Sequence, residues 1–133
     1  MRTVFADAFY WFALLSERDR AHNKAVAFNN GFDAKLVTTD WVITELADGW
    51  SKIPTRSCFW TTLEFIDSEP GIEVVEPSQE LWRAGIDLFR DRPDKEWSLT
   101  DCISFVVMER QGLTEALTGD HHFEQAGYIA LLK

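Results

Sequence analysis

Four carboxylates in this chain stand in apolar company: Asp7 in V-F-A-D-A-F-Y-W, Glu45 in V-I-T-E-L-A, Asp101 in S-L-T-D-C-I-S-F and Asp120 in L-T-G-D-H-H-F. Most of the remaining acids lie among polar neighbours, where solubility explains them. Intervals of 38, 56 and 19 residues separate the four, the spacing that distinct strand–helix units converging on one place would produce. Convergence has an energetic cost, because two carboxylates ~5 Å apart repel by about 3 kcal/mol at an effective dielectric of about 20. A cluster of four therefore requires a cation among its members, or protonation of some of them. Hard oxygen donors select Mg2+ or Mn2+, and Mg2+ usually combines a few carboxylates with waters and substrate phosphate oxygens. Such an ion lowers the pKa of a bound water, polarises a phosphoryl group and balances charge on the leaving oxygen. The chemistry implied is metal-assisted phosphodiester hydrolysis.

Each acid also has a purely structural explanation. Asp7 could close a strand, Glu45 could lie on a helix surface, and Asp120 could form a turn after Gly119. Asp101 could be only a capping acid, which the helix dipole favours by ~0.3–1 kcal/mol. All four explanations would have to hold together, so a shared site is the more economical reading. Asp40 fits better as a cap, or as an acid behind the ligands, than as a ligand. His121 and His122 follow Asp120 directly, but adjacent histidines on a helix point different ways, and no H-x-x-x-H or cysteine pairing accompanies them. A structural zinc site is not expected, and His122 is kept as a residue that could position substrate or water. His22 reads as packed on its own helix. No P-loop, G-x-G-x-x-G or nucleophile elbow is present.

The elements that must carry these residues alternate between strand and helix. Thr3 to Ala6 is a short buried strand closed by Asp7, and Ala8 to Leu15 is a dense apolar helix. A second helix is predicted from about Arg20 to Asn29, ending at Asn30-Gly31. Lys35 to Thr38 is a strand; Thr39 or Asp40 caps a helix that carries Glu45 and runs to about Ser51. Pro54 precedes a helix near Ser57 to Ser68, and Pro70-Gly71 stops it. Ile72 to Val75 is a third strand. From Pro77-Ser78 to about Arg90 runs a helix with Leu81, Trp82, Ile86 and Phe89 roughly on one face. Trp97 to Phe123 is the centre of the pattern. There Ser98 caps a buried helix with Asp101 completing a capping box, Gly112 stops it, and Leu113 to Thr118 is a strand with Gly119-Asp120 at its end. A helical turn to Ala126 and a last strand, Tyr128 to Leu132, follow. Strands of mostly apolar residues alternating with helices indicate an α/β sandwich around a parallel sheet. In an open parallel sheet, ligands bind at the carboxyl edge, where Asp7 and Asp120 would both arrive.

The 133 residues suffice for one domain, 1–133, with a real core, and 46% hydrophobic content with six Trp and ten Phe marks a globular chain. No apolar run approaches the ~20 residues of a membrane span, and no signal-peptide pattern precedes the first strand. Cys58 and Cys102 both sit in apolar helical patterns and read as core thiols of a cytoplasmic protein. A net charge of −9 argues against a simple electrostatic nucleic-acid binder, but not against an enzyme whose acids hold divalent cations.

At these residues the chain resembles the PIN-domain family, the small ribonuclease domains that include VapC-type toxins. The resemblance covers nearly the whole chain. V-F-A-D-A-F-Y-W is similar to the family's opening strand with its first acid, Asp7, and T-E-L to its glutamate segment, Glu45. S-L-T-D-C-I-S-F is similar to its S-x-x-D helix start, giving Asp101, and L-T-G-D-H-H-F-E-Q-A-G-Y to its closing T-x-D-x-x-F, giving Asp120 with Thr118 and Phe123 in support. The resemblance implies a three-layer α/β/α sandwich with a central five-stranded parallel sheet. It also implies Mg2+ or Mn2+ as cofactor, single-stranded RNA as substrate, a homodimer, and for toxin members a small antitoxin partner. Two departures stand out: Phe9 occupies the place of a common Ser or Thr, and His122 the place of a further acid in many members. They leave open whether one ion or two bind.

The expected function is a divalent-metal-dependent endoribonuclease, the toxin of a type II toxin–antitoxin pair. Asp7, Glu45, Asp101 and Asp120 are its catalytic and metal-binding acids, with Thr118, Ser98, His122 and Asp40 behind them. Lys52, Arg56 and Lys95 are candidates for RNA contact. The alternative is a PIN-fold protein with little or no activity that acts as an interaction module, its aromatic helix Phe9–Phe12 serving a partner surface rather than the core. A metal-dependent phosphatase fits less well, because Asp7-Ala8-Phe9 stands where the D-x-D of such enzymes would be.

Overall fold

Val4, Phe5 and Ala6 are fully buried, and their strand, β1 (Thr3–Ala6), runs through the centre of a five-stranded parallel sheet. The structure, a computed structural model, describes residues 2–31 and 33–133. On one side β1 pairs with β2 (Lys35–Thr39), in the register Thr3–Lys35, Val4–Leu36 and Phe5–Val37. Outside β2 lies β3 (Ile72–Val75). On its other side β1 pairs with β4 (Glu115–Leu117), Phe5 against Ala116 and Ala6 against Leu117, and β5 (Ile129–Ala130) closes that edge. The spatial order is β3-β2-β1-β4-β5, with every pairing parallel. Apolar runs buried on both faces suit this arrangement, because helices cover both sides of a parallel sheet. The chain builds outward from β1 through β2 to β3, then returns to add β4 on the opposite side. That reversal is the switch point at which α/β sheets bind ligands.

Seven α-helices among the described residues complete the three layers. They are α1 (Ala8–Leu15), α2 (His22–Asn30), α3 (Asp40–Gly49), α4 (Arg56–Ser68), α5 (Gln79–Asp91), α6 (Leu99–Gln111) and α7 (His121–Gln125). Thr39 caps α3, its hydroxyl accepting from Val42 N–H, and Ser78 caps α5 in the same way through Leu81 N–H. In α6 the buried run Asp101–Phe105 continues through Val107 and Met108, so the helix is apolar nearly all round. Gly112 ends it at φ +67°, a left-handed conformation that suits glycine.

The structure departs from the predicted boundaries at the sheet's second half. The β4 strand is three residues rather than six, because the Leu113 amide is already bonded to Met108 O in the helix cap, and the Thr118 amide turns back to Ala116 O. The β5 strand shortens with it. A 3₁₀ turn at Ile53–Thr55 precedes α4, and Phe89 is half exposed, with Leu81 and Gly85 the buried positions of α5 instead. The helix containing Phe9–Phe12 belongs to the core: Tyr10 and Trp11 are buried, and Phe9 and Phe12 pack against the buried cluster. Cys58 and Cys102 are free thiols, half-buried and buried respectively. No helix of the described residues is long and apolar enough to cross a membrane.

Candidate active site

The carboxyl ends of β1 and β4 lie side by side, and each delivers an acid. Asp7 follows β1 directly and stands at the N-cap of α1, yet its side chain makes no capping bond to the helix. Its Oδ2 instead accepts from the Thr118 hydroxyl at 2.9 Å, and the residue is 6% exposed. Thr118 is fully buried, and its oxygen also accepts from Asp120 N–H at 3.1 Å. One threonine thereby fixes the spacing between the two strand-end acids. Asp120 is the N-cap of α7, with Oδ1 accepting from His122 N–H at 2.9 Å. The Thr38 hydroxyl donates to Ala6 O, tying the end of β2 to the residue before Asp7.

Two helices bring the other acids. Asp101 is the third residue of α6 and closes a capping box: Ser98 Oγ accepts from Asp101 N–H at 3.0 Å, and Asp101 Oδ2 accepts from Ser98 N–H at 3.2 Å. Because α6 leads into the start of β4, its own first turn lies at the sheet's carboxyl edge. Glu45 lies in the second turn of α3 and is half-buried. Asp40 is exposed at the head of α3, and its contribution there is a backbone carbonyl that accepts from the Thr44 hydroxyl. The structure thus gathers Asp7, Glu45, Asp101, Asp120 and Thr118, with Ser98 holding Asp101.

The electrostatics report the proximity of the acids. Burial, opposed by the Thr118 bond and reinforced by the charges of Asp101 and Asp120, pushes the Asp7 carboxyl up to about 7. Burial first, then the charges of Asp7, Asp101, Asp120 and Asp48, pushes Glu45 up to about 7. Asp101 is raised as well, chiefly by burial, against the opposing Ser98 and His122 contacts. Among the described residues no lysine or arginine forms an ion pair with any of the four acids. The basic groups in contact are imidazoles. His122 Nδ1 lies 3.2 Å from Asp101 Oδ2 and 3.4 Å from Asp120 Oδ1, and His121 Nδ1 lies 3.6 Å from Asp120 Oδ1. A cluster of carboxylates that no lysine or arginine balances is the donor chemistry that a hard divalent cation matches.

Two relationships were not legible in the sequence. Phe9 packs beneath Gly119, where a β-carbon would come 2.5 Å from its ring, so the aromatic fills the space opposite the Gly119-Asp120 turn. The imidazoles of His121 and His122 do not diverge: their centroids are 4.4 Å apart, and both Nδ1 atoms approach Asp120. Beneath them Phe123 is fully buried against Phe105 and Phe5, which anchors the segment that carries Asp120. A polar residue ending an apolar strand was the available sign for Thr38; neither the Phe9–Gly119 contact nor the histidine pairing leaves one.

The model of the PIN domain family matches residues 4–128. No curated protein matches the sequence. Among solved structures, VapC20 of Mycobacterium tuberculosis, described as a sarcin–ricin-loop-cleaving toxin, has a TM-score of 0.85 and 21% identity over 95% of this chain and 96% of its own. VapBC2 of Rickettsia felis, solved with a DNA fragment from its promoter, has a TM-score of 0.66 and 13% identity over 96% of each chain. FitAcB of Neisseria gonorrhoeae has a TM-score of 0.60 and 17% identity over 96% of this chain and 94% of its own. At these identities the structural likenesses speak to the fold.

Proposed function

The chain belongs to the PIN-domain family, and from that premise we propose that it is a divalent-metal-dependent endoribonuclease, the toxin of a type II toxin–antitoxin pair. The observation that carries this reading is the cluster itself, in which Asp7 and Glu45 are both driven up to about 7 without a lysine or arginine to pair with them. Asp7, Glu45, Asp101 and Asp120 would hold a Mg2+ or Mn2+ ion, directly or through water. When bound, such an ion supplies an activated water, polarises the phosphoryl group and balances charge on the leaving oxygen.

The chain's own residues position that chemistry. Thr118 orients Asp7 and spaces it from Asp120, and the Ser98 capping box holds Asp101 with one oxygen committed to the helix end. Beside a cation, Asp7 and Glu45 are ionised at neutral pH, which restores the four-carboxylate set. With a net charge of −9, affinity for RNA leans on the metal and on local contacts. Lys52 and Arg56 are exposed cations, and Arg56 lines one surface pocket with Trp60, which is 63% exposed and available for base stacking. Similarity to VapC20, VapBC2 and FitAcB supports an antitoxin partner, and a homodimer is proposed with it.

The test is cleavage of a mixed RNA panel with Mn2+, Mg2+ or EDTA, wild type beside Asp101→Asn. Cutting that needs the metal and disappears in the variant is the expected result. Equal cutting by both proteins, or none by either with any ion, removes the proposal.

A further inference from the structure

We propose that Trp97 and Gln125 are positioning residues, whose side-chain hydrogen bond sets how far Asp101 stands from Asp120 and thereby the affinity of the acids for a divalent cation. The proposal rests on the metal-dependent reading above and adds to it two residues that are not ligands. Trp97 is 6% exposed and directly precedes Ser98, the N-cap whose box holds Asp101. Gln125 closes α7, the helix that has Asp120 as its N-cap. The Trp97 Nε1–H donates to Gln125 Oε1 at 3.0 Å, joining residues 28 apart in sequence.

The α7 helix has five residues, His121–Gln125, and a helix shorter than ~12–15 residues is marginal by itself in water. Where Asp120 stands therefore depends on what grips the segment behind it. Three links run to α7 from α6 and the residues that lead into it. At the acids, His122 Nδ1 lies 3.2 Å from Asp101 Oδ2. In the middle, Phe105, one turn beyond Asp101, meets Phe123 edge to face with centroids 4.9 Å apart. At the far end is the bond from Trp97 to Gln125. The aromatic contact is apolar and non-directional, whereas a hydrogen bond fixes distance and angle together. Remote from the acids themselves, the Trp97 bond is the directional link that a cation would not displace.

Trp97 is itself held in place. Its ring meets Phe105 edge to face, with centroids 5.0 Å apart, and the Arg92 guanidinium lies 5.0 Å over it. Arg92 is in turn forked onto Asp94 through two contacts of 3.0 Å. A buried indole N–H deprived of its acceptor is left unsatisfied, which favours a shift of the ring, and the Ser98–Asp101 capping box is the next feature of the chain. Gln125 is exposed, so the bond, and not burial, is what its side chain contributes. Groups behind metal ligands tune affinity in this way, by fixing the orientation of carboxylates that they do not replace.

The test is the Mn2+ affinity of the metal-free full chain, read by calorimetry, for wild type, Trp97→Phe, Gln125→Met and the double variant, with urea unfolding of each. Trp97→Phe keeps an aromatic ring without the donor, and Gln125→Met keeps the chain length without the acceptor. Each should weaken Mn2+ binding about 3- to 30-fold, the range over which residues linked to a site by packing and hydrogen bonds modulate it. The double variant should bind no more weakly than the worse single one, because both changes remove the same bond. Ser78→Ala, which removes the cap of α5, should lose stability and bind Mn2+ as wild type does. Lost stability with unchanged affinity in Trp97→Phe and Gln125→Met overturns the proposal, as do losses that add in the double variant or equal weakening by Ser78→Ala. If Trp97→Phe does not fold, Gln125→Met, a change at an exposed side chain, decides alone. Absence of Mn2+ binding by wild type removes the metal reading and the proposal together, whereas binding that the variants keep in full removes the proposal only.

Discussion

Thr118 and Asp7 are 111 residues apart in sequence and joined by a 2.9 Å hydrogen bond, hydroxyl to Oδ2, inside the buried edge of the sheet. The same hydroxyl oxygen accepts from Asp120 N–H, so one side chain sets the geometry of acids from two strands. A buried carboxylate with one well-made bond is sensitive to the loss of that bond.

Replacing Thr118 with Val keeps the shape and removes the donor. At pH 8, where Asp7 is largely ionised, the variant should be less stable by about 1–3 kcal/mol in urea unfolding, the cost of an unsatisfied buried polar group. Thr118→Ser should recover most of the loss. Equal stability of the Thr118→Val variant and wild type would mean that the bond contributes nothing net.

The metal-free protein should lose stability as pH rises. Asp7 and Glu45 have ordinary values of 3.8 and 4.5 and are both pushed up to about 7 in the folded chain. Between those limits the folded state binds more protons than the unfolded chain, so their contribution is full below about pH 4 and is lost as pH approaches about 7. Thermal melts in EDTA across this range should show this loss, and Asp7→Asn should flatten the slope.

Asp7→Asn should stabilise the metal-free protein at pH 8, by about 1–3 kcal/mol, since it removes one of several mutually repelling carboxylates. It should also abolish most of the stabilisation that Mn2+ confers on wild type, which amounts to about 2.7 kcal/mol when the ion is at 100 times its Kd. A variant both less stable without metal and equally responsive to Mn2+ would contradict the charge argument.

Gly119→Ala places a β-carbon 2.5 Å from Phe9 Cζ, so the ring must move. Overpacking of this kind costs about 1–3 kcal/mol. The double variant with Phe9→Ala should recover part of it, and a double-mutant cycle that returns no coupling would separate the two residues energetically.

The order of strands and helices was readable because its causes are local. Strand-length apolar runs, the Ser98–Asp101 capping box and the left-handed stop at Gly112 each act within a few residues, so sequence alone placed α1, β3 and α6 closely and put Asp7, Asp101 and Asp120 at element ends. Strand lengths at β4 and β5 were overestimated because amides that the apolar pattern assigned to the sheet are bonded elsewhere: Leu113 to Met108, Thr118 to Ala116 and Tyr128 to Phe123. The pairing of Thr118 with Asp7, the contact of Phe9 with Gly119, and the turning of His121 and His122 toward Asp120 were decided only in the tertiary structure. Each depends on how elements distant in sequence dock, or on which rotamers the packing above Phe123 leaves open. Hydrophobic period and capping chemistry carry no information on either, whereas they do determine which residues reach the sheet's edge.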